Sequence, residues 1–499
     1  MAVVDWIIVA LYAIGTLVLG WYFGRKQEDT AEYFVGSGRM NPVLIGISLF
    51  ATLLSTITYL AVPGEVFGKG PAYLANYLAY PFVFLVLGYV VLPIYMQHRV
   101  TSAYELLEER LGLSIRLLGA VLFIALRLVW MSLLVFLTAV AITKMIGVSE
   151  SMSPLIVLIT GAFAVTYTSL GGLRAVVITD LLQTLLLYGG ALLVIGIVTW
   201  QMGGFGWFPT EWKGEVWDRQ PIFSLDPSVR VTVFGSILSV FLWTTCTSIG
   251  DQVSVQRFMA TRDARAARRA IAMQLTVATI VGLTLGMVGF ALLGFYLANP
   301  AELLDSAGNS TEADKTFPLF IGSQLPPIAT GLVMSGVFAA AMSSIDSGVN
   351  SITAVVVNDF LDRFGKRPDT ERKHLWMARL LAVAIGFVVV LLSSVMQYIP
   401  GNFLEVTNKT VNLVTVPIAL LFIFALTIPF SNVIGVWIGT IASITAAATV
   451  AFSRQIFGPD PVTGGDPISF QWITPTALVA GLSVGLVACA VVNRLKRQT

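Results

Sequence analysis

The sequence predicts an all-α membrane protein with about thirteen transmembrane helices. Three observations predict it. Of 499 residues, 56% are hydrophobic and only 12% charged, about half the charged share of a soluble domain. The apolar residues gather into runs of about 18 or more, long enough to cross the hydrocarbon core. The Lys and Arg residues fall unevenly between those runs, as they do across membranes.

The runs lie near 5–23, 41–66, 74–97, 114–146, 152–169, 175–202, 231–250, 266–298, 328–362, 373–397, 403–428, 430–453 and 473–493. Several exceed the bilayer thickness, so tilting or extension beyond the membrane is expected. The first, from Trp6 to Phe23, is followed by no small-residue cleavage site and reads as a retained helix. With the amino terminus outside, about twenty Lys and Arg fall on inner segments and about seven on outer ones. Arg257 and the run from Arg262 to Arg269 are among the inner set, and the run is read as a solvated loop. An odd number of spans then puts the carboxy terminus in the cytoplasm of a multi-pass cell-membrane protein. The longer loops, 203–230 and 299–327, fall outside.

A net charge of +2 gives no sign of a nucleic-acid partner. The expected partners are the lipid bilayer and a small-molecule substrate, and the expected state is a monomer. Cys246 and Cys489 both lie in apolar stretches, so no disulfide framework is implied.

Polar residues inside the apolar runs carry the functional signal, because hydroxyls and carboxylates at membrane depth are costly unless they bind something. The densest group is VFAAAMSSIDSGVNS, from Val337 to Ser351. Ser343, Ser344 and Ser347 share one part of a helix surface, with Asp346 and Asn350 beside them. Hard oxygen donors without thiols or imidazoles suit a hard cation rather than a transition metal. A single Ser there would instead bond back to its own helix; the cluster favours ion binding.

The second and seventh spans are interrupted. The second carries Thr52, Ser55, Thr56 and Thr58, and then Pro63-Gly64, which would end or kink the helix. The seventh carries Thr244, Thr245, Thr247, Ser248, Gly250 and Asp251. Interruptions five spans apart fit two five-helix repeats, and an odd number of helices per repeat requires the second to be inverted. The chain then reads as a single transporter domain, 1–499, with a first repeat at 41–202 (helices 2–6) and a second at 231–428 (helices 7–11). Residues 1–24 and 430–493 are peripheral helices.

These segments resemble the sodium/solute symporter family over nearly the whole chain. The pieces are EYFVGSGRM, ISLFATLLSTITYLAVPGEVF, VTSAYELLEERLG, TSLGGLRAVVITDLLQ, DQVSVQRFMA and AAAMSSIDSGVNS, and in detail they sit closest to the bacterial sialic-acid transporter branch. The resemblance implies a LeuT-like fold with broken first helices in each repeat, and sodium (Na+) as the coupling ion. It implies a sodium site made by the carbonyls of Ala51, Leu54 and Ala340 and the hydroxyls of Ser343 and Ser344. Such neutral oxygens suit a monovalent cation. It also raises a second sodium site, with Asp180, Ser343 and Ser347; here Asp346 stands where that branch has Ser. Asp346 then either strengthens the second site or carries a proton, since two carboxylates facing one cavity repel unless a cation lies between them. The bland alternative is that Asp180 bonds a neighbouring helix and Asp346 caps a local unwinding.

The same resemblance implies a substrate site between spans 2, 3, 7 and 11, with Ser55, Thr56, Thr58, Asn76, Thr244, Thr247, Ser248 and Lys409 available. Arg127, on the fourth span, lies one turn before the position where that branch carries an Arg, which here is Trp130. Arg127 is either a hook for a substrate carboxylate, through bidentate pairing, or a buried partner of an Asp or Glu, or a snorkelling side chain. Lys409 either meets substrate or pairs with Glu405 four residues earlier.

The function expected is sodium-coupled import of a small organic solute, carboxylate-bearing such as a sialic acid, by alternating access. The alternative is a neutral sugar or polyol, and a remoter one is an uncoupled channel or sensor. The chain is not expected to be an enzyme or an ATP-driven pump: there is no GxxxxGK[ST] and no HExxH, and His98 and His374 are the only histidines.

Overall fold

Helix is the only regular structure among the described residues, as a bilayer demands. With no water in the hydrocarbon, backbone N–H and C=O groups must pair within each segment. The computed structural model describes residues 2–24, 33–34, 40–54, 56–98, 102–303, 312–398, 403–462 and 464–498, and only the backbone of 150, 164–165, 167–172 and 397. Ser55 lies outside the described residues.

The helices that matter here are α1 (Val3–Gly24), α2 (Pro42–Leu53), α3 (Thr56–Gly68) and α4 (Pro71–His98). After them come α5 (Glu105–Leu111), α6 (Leu113–Ile146), α7 (Ser153–Gln201), α8 (Val233–Gly250) and α9 (Gln252–Met259). The rest are α10 (Ala264–Ala298), α11 (Ala313–Ser323), α12 (Ala329–Asp362), α13 (Glu371–Ser393), α14 (Phe403–Thr427), α15 (Val433–Ala451) and α16 (Phe470–Gln498). Among the described residues, 11 helices are long and apolar enough to cross a membrane, or up to 12 if the bent pair α2–α3 is one span. The run expected at 152–169 corresponds to a shorter apolar segment, Ser153–Phe163, which continues as helix into the next span within α7.

Both expected interruptions are breaks in the backbone. In the second span, α2 stops at Leu53 and Leu54 turns extended (φ −83°, ψ 100°), so that α3 leaves at 65° to α2. Pro63 is not the cause: it lies inside α3, which runs on to Gly68. The break is held from outside the helix. The Ser344 hydroxyl donates to the Thr52 carbonyl at 2.9 Å, satisfying an oxygen that the unwinding leaves without an intrahelical partner. In the seventh span, Asp251 is extended (φ −90°, ψ 119°) and its carboxylate accepts from the Val253 N–H at 2.9 Å, capping α9.

The core forms around α12. Its spanning window is 89% buried, against 17% for α1. It packs on α1, α6, α7 and α13, and small residues let them approach: a Cβ at Gly336 would come within 3.2 Å of the Leu186 backbone on α7, and one at Gly348 within 2.4 Å of Met131 on α6. A helix this polar and this buried must satisfy its hydroxyls against its neighbours.

The carboxy-terminal end of α12 is tied down by charge. Arg116 reaches Asp359 and Glu108, each at 2.7 Å; Arg363 reaches Glu108 at 2.6 Å; Ser102 donates to Asp359 at 2.5 Å. Arg363, through its hydrogen bond, and Arg116 hold the Glu108 carboxyl down at about 2 against the effect of partial burial. A depressed folded value means that this stabilisation is present at neutral pH and is lost as pH falls from the ordinary carboxylate range through about 2. Glu108→Gln is therefore expected to lower the melting temperature at pH 7 and to flatten its decline below about pH 4. A variant that melts with the wild-type pH profile would show that this network does not contribute.

Candidate functional site

Arg257 has the largest fully buried side chain among the described residues, although the charge distribution counted it on an inner segment. It projects from α9 into a cluster shared with α2, α7 and α12. Its Nη2 donates to Ser347 Oγ at 2.5 Å and to Thr52 Oγ1 at 2.7 Å; its Nε donates to Ser48 Oγ at 2.9 Å; Nη1 reaches the Val253 carbonyl at 3.3 Å. Asp180 on α7 faces the same group, with Oδ2 3.6 Å from Nη2. Ser48 and Ser343 each donate to Asp180 at 2.5 Å. The arrangement follows from helical spacing: Ser48 and Thr52 on α2, and Ser343 and Ser347 on α12, lie one turn apart on facing surfaces. The sequence signal for Arg257 was DQVSVQRFMA, whose helix begins only after the Asp251 cap; without the break, the span appears to end before it.

Of the residues expected at the first sodium site, Ala51, Leu54 and Ala340 share one buried cluster, Ser344 meets the break, and Ser343 donates to Asp180. Ala51 and Leu54 flank the Thr52 carbonyl that Ser344 holds, and Ala340, Ser343 and Ser344 lie on the α12 face opposite. Of the second-site residues, Asp180, Ser343 and Ser347 meet, as described. Asp346 is equally buried, but among the described hydrogen bonds none joins it to that group; it lies within electrostatic range of Tyr12 and Tyr33.

Next to the first site is a cavity of about 150 Å³, walled by Leu54 and by Thr58, Asn76, Ser239, Thr244, Gln274, Thr407, Asn408 and Asn412. Aromatic faces come from Tyr73, Tyr77, Tyr80, Trp130 and Trp243. Thr58, Asn76 and Thr244 were expected there. Gln274, Asn408, Asn412 and Trp243 were not singled out, although a lone Gln in an apolar helix and two Asn one turn apart were available signals. Trp130 Nε1, Thr244 Oγ1 and Asn412 Oδ1 have no hydrogen-bond partner in the cavity wall. Orphaned buried groups of this kind are rare and are met by a ligand or water. No Lys, Arg, Asp or Glu is in the wall among the described residues.

Six expected substrate residues lie elsewhere or beyond description. Thr56 donates to the Val337 carbonyl on α12 at 3.1 Å. Thr247 and Ser248 are buried in α8 outside the cavity wall. Arg127 is ion-paired with Asp251, the residue that caps α9. Lys409 pairs with Asp466 at 2.5 Å rather than with Glu405, and lines a separate vestibule of about 1140 Å³. Glu405 is taken by Arg230 (2.7 Å), which also grips Glu65 on α3 with bonds of 2.6 and 2.9 Å, and so ties α3 to α14 at the vestibule wall. Ser55 is outside the described residues.

The two breaks differ in what meets their carbonyls. At the seventh span, the Tyr95 and Tyr104 hydroxyls donate to the carbonyls of Ile249 and Gly250, the second at 3.0 Å. At the second span, a Ser-rich helix face stands opposite instead. Tyrosine hydroxyls thus cap the carbonyls of the seventh-span break, whereas at the second-span break the Ser344 hydroxyl meets the Thr52 carbonyl.

Two measurements check this division. Ser343→Ala with Ser344→Ala should remove most of the sodium dependence of uptake; sodium-driven uptake at the wild-type level would rule out the site. Arg127→Met should destabilise the protein by about 3–5 kcal/mol, the cost of leaving a buried carboxylate without its partner. A stable Arg127→Met protein that loses only solute binding would make Arg127 a substrate hook.

The sequence profile described as the sodium:solute symporter family matches residues 33–443. The chain is 29% identical to the sodium/sialic acid symporter NanT of Aliivibrio fischeri, covering 90% of this chain and 87% of the relative. It is 26% identical to human sodium-coupled monocarboxylate transporter 1, covering 92% and 74%. Its fold is similar to that of a Na+-coupled sialic acid symporter solved in a substrate-bound outward-open state, with TM-score 0.80, 24% identity and 98% of both chains covered. With two broken spans, an oxygen cluster at the first break and a polar chamber beside it, the chain belongs to the sodium:solute symporter family: it is a multi-pass membrane transporter, not an enzyme, and sodium is the ion to which it couples its solute.

Proposed function

We propose that the solute is a small carboxylate-bearing molecule, a sialic acid or a near chemical relative, imported by alternating access. The observation that carries this reading is the chamber: uncharged hydrogen-bonding groups, three of them without partners, between aromatic faces. Hydroxyl- and amide-rich rings satisfy such groups and stack on such faces. The transport of sialic acid by the A. fischeri relative supports it. In this reading Ser55, Thr58, Asn76 and Thr244 contact solute, and sodium is held by the Ala51, Leu54 and Ala340 carbonyls with Ser343 and Ser344. Leu54 belongs to both the ion site and the chamber wall, so ordering the break by sodium shapes the solute site. Coupling of this kind is reciprocal: each ligand tightens the other by the same factor.

A neutral sugar or polyol is the second reading, favoured by the uncharged wall and by the neutralisation of Arg127 through Asp251. The two repeats then comprise 41–202 and 231–428, the amino terminus faces outside, the carboxy terminus faces the cytoplasm across the cell membrane, and one chain suffices, since it supplies both sites. Sodium-gradient uptake into proteoliposomes, comparing N-acetylneuraminate with uncharged N-acetylmannosamine, tests the solute. Uphill accumulation of the acid alone is expected. Accumulation of the neutral sugar alone would favour the second reading, and downhill movement of either without sodium coupling would indicate a channel.

A further inference from the structure

We propose that Asp314 is a proton-operated bar on the outer closure of this transporter: a proton taken up there holds α3 and α14 together. The word outer follows the orientation proposed above, in which 299–327 lies outside. α3 and α14 wall the solute chamber, through Thr58 and Ala61 on one and Thr407, Asn408 and Asn412 on the other. Two bridges join their outer ends. The first is Arg230, which bonds Glu65 on α3 at 2.6 and 2.9 Å and Glu405 on α14 at 2.7 Å. The lead into α16 fixes it: the Phe470 ring lies 5.5 Å from the guanidinium, and the Ser469 hydroxyl donates to the Arg230 carbonyl. The second bridge is Asp314, in the first turn of α11. Its Oδ2 accepts the Phe403 N–H at 2.7 Å, one of the N–H groups that the start of α14 leaves without an intrahelical partner. Its other side rests on α3, where glycines admit it. A Cβ at Gly64 would come within 2.7 Å of Asp314 Oδ1, and one at Gly68 within 2.5 Å of the Ala313 side chain.

The two bridges differ in what acid does to them. The Arg230 guanidinium stays charged at any physiological pH. Asp314 is 8% exposed, and among the described residues one backbone N–H meets its carboxylate and no Lys, Arg or His pairs with it. Burial pushes its carboxyl up to about 6; the Phe403 N–H and Arg230 pull it down, while Glu65 on α3 and Glu312 beside it push it further up. Other charges on the elements packed against α11 lie toward its far end. The end of α6, which carries Lys144, meets α11 at Gly322, and Glu302, beyond α10, bonds Gln324. α12 has no charged residue before Asp346. When α3 and α14 part, Asp314 gains water and its carboxyl returns toward the ordinary value of 3.8. The clasped form therefore holds the proton more tightly, and acid favours it. At pH 7 the carboxylate is charged in both forms and the effect is small. Between pH 7 and pH 5 the balance shifts toward closure by about tenfold. Acid surroundings thus slow import without touching the chamber or the ion site.

The test reads the closure directly. Spin labels on Lys69→Cys, just beyond α3, and Thr410→Cys, on α14, report the separation of the two helix ends in nanodiscs between pH 5 and pH 8; the native Cys246 and Cys489 are buried. The fraction with parted ends is expected to fall about tenfold from pH 7 to pH 5. Asp314→Asn, which mimics the protonated carboxyl and keeps an acceptor for Phe403, should show the pH 5 distribution at every pH. Arg230→Gln should raise the parted fraction throughout and still respond to acid. A distribution unchanged between pH 7 and pH 5 in the labelled protein overturns the proposal whether or not the further variants fold. So does a pH response that survives Asp314→Asn. Neither sodium nor solute is present, so the outcome is independent of the sodium-symport reading, which proteoliposome uptake tests separately.

Discussion

A carboxylate buried in the middle of a membrane protein has to be met by positive charge, and much of this structure is arranged around meeting one. Asp180 draws Ser48, Ser343 and Arg257 toward it, and Arg257 draws Thr52 and Ser347. The result fastens α2, α7, α9 and α12 at one place. Desolvated charges contribute little net stability even when well paired, but separating them is costly. The cluster therefore acts as a fixed reference against which softer parts can move, more than as a source of folding energy.

The helix break nearest this cluster is at Leu54. A helix end in a membrane exposes carbonyls that cost several kcal/mol unless something binds them. At the seventh span the tyrosine hydroxyls of α4 and α5's leading turn settle that cost permanently. At the second span one hydroxyl, from Ser344, meets one carbonyl. In the proposed reading the neighbouring oxygens hold sodium, which orders Leu54, part of the solute chamber wall. Coupling needs no longer chain of contacts than that.

Charge networks bracket this centre. Arg230 holds α3 to α14 beside the vestibule, while Arg116, Glu108 and Arg363 hold α5 and α6 to the end of α12. Both join the broken-span helices or α12 to neighbouring helices, which are the contacts that alternating access must make and release. Between them the chamber is uncharged. In the proposed reading a solute is recognised there by hydrogen bonds and aromatic contact.

Length and apolar runs were enough to establish a many-helix membrane protein, and the Ser-rich stretch of α12 a buried cluster of hydroxyls, because bilayer thickness and the cost of buried polar groups act on local sequence. The two breaks were legible for the same reason, though not their mechanism: Pro63 looked like the cause, and the Ser344 hydroxyl, donating to the Thr52 carbonyl, turned out to hold the unwound end. What only the tertiary structure decided was the partner of each charge. Arg127 goes to Asp251, Lys409 to Asp466, Glu405 to Arg230, and Arg257 into the Asp180 cluster. Each pairing crosses between helices far apart in sequence, so no periodicity within one helix could specify it. A single extended cap at Asp251 was enough to carry Arg257 from an apparent inner segment into the buried Asp180 cluster.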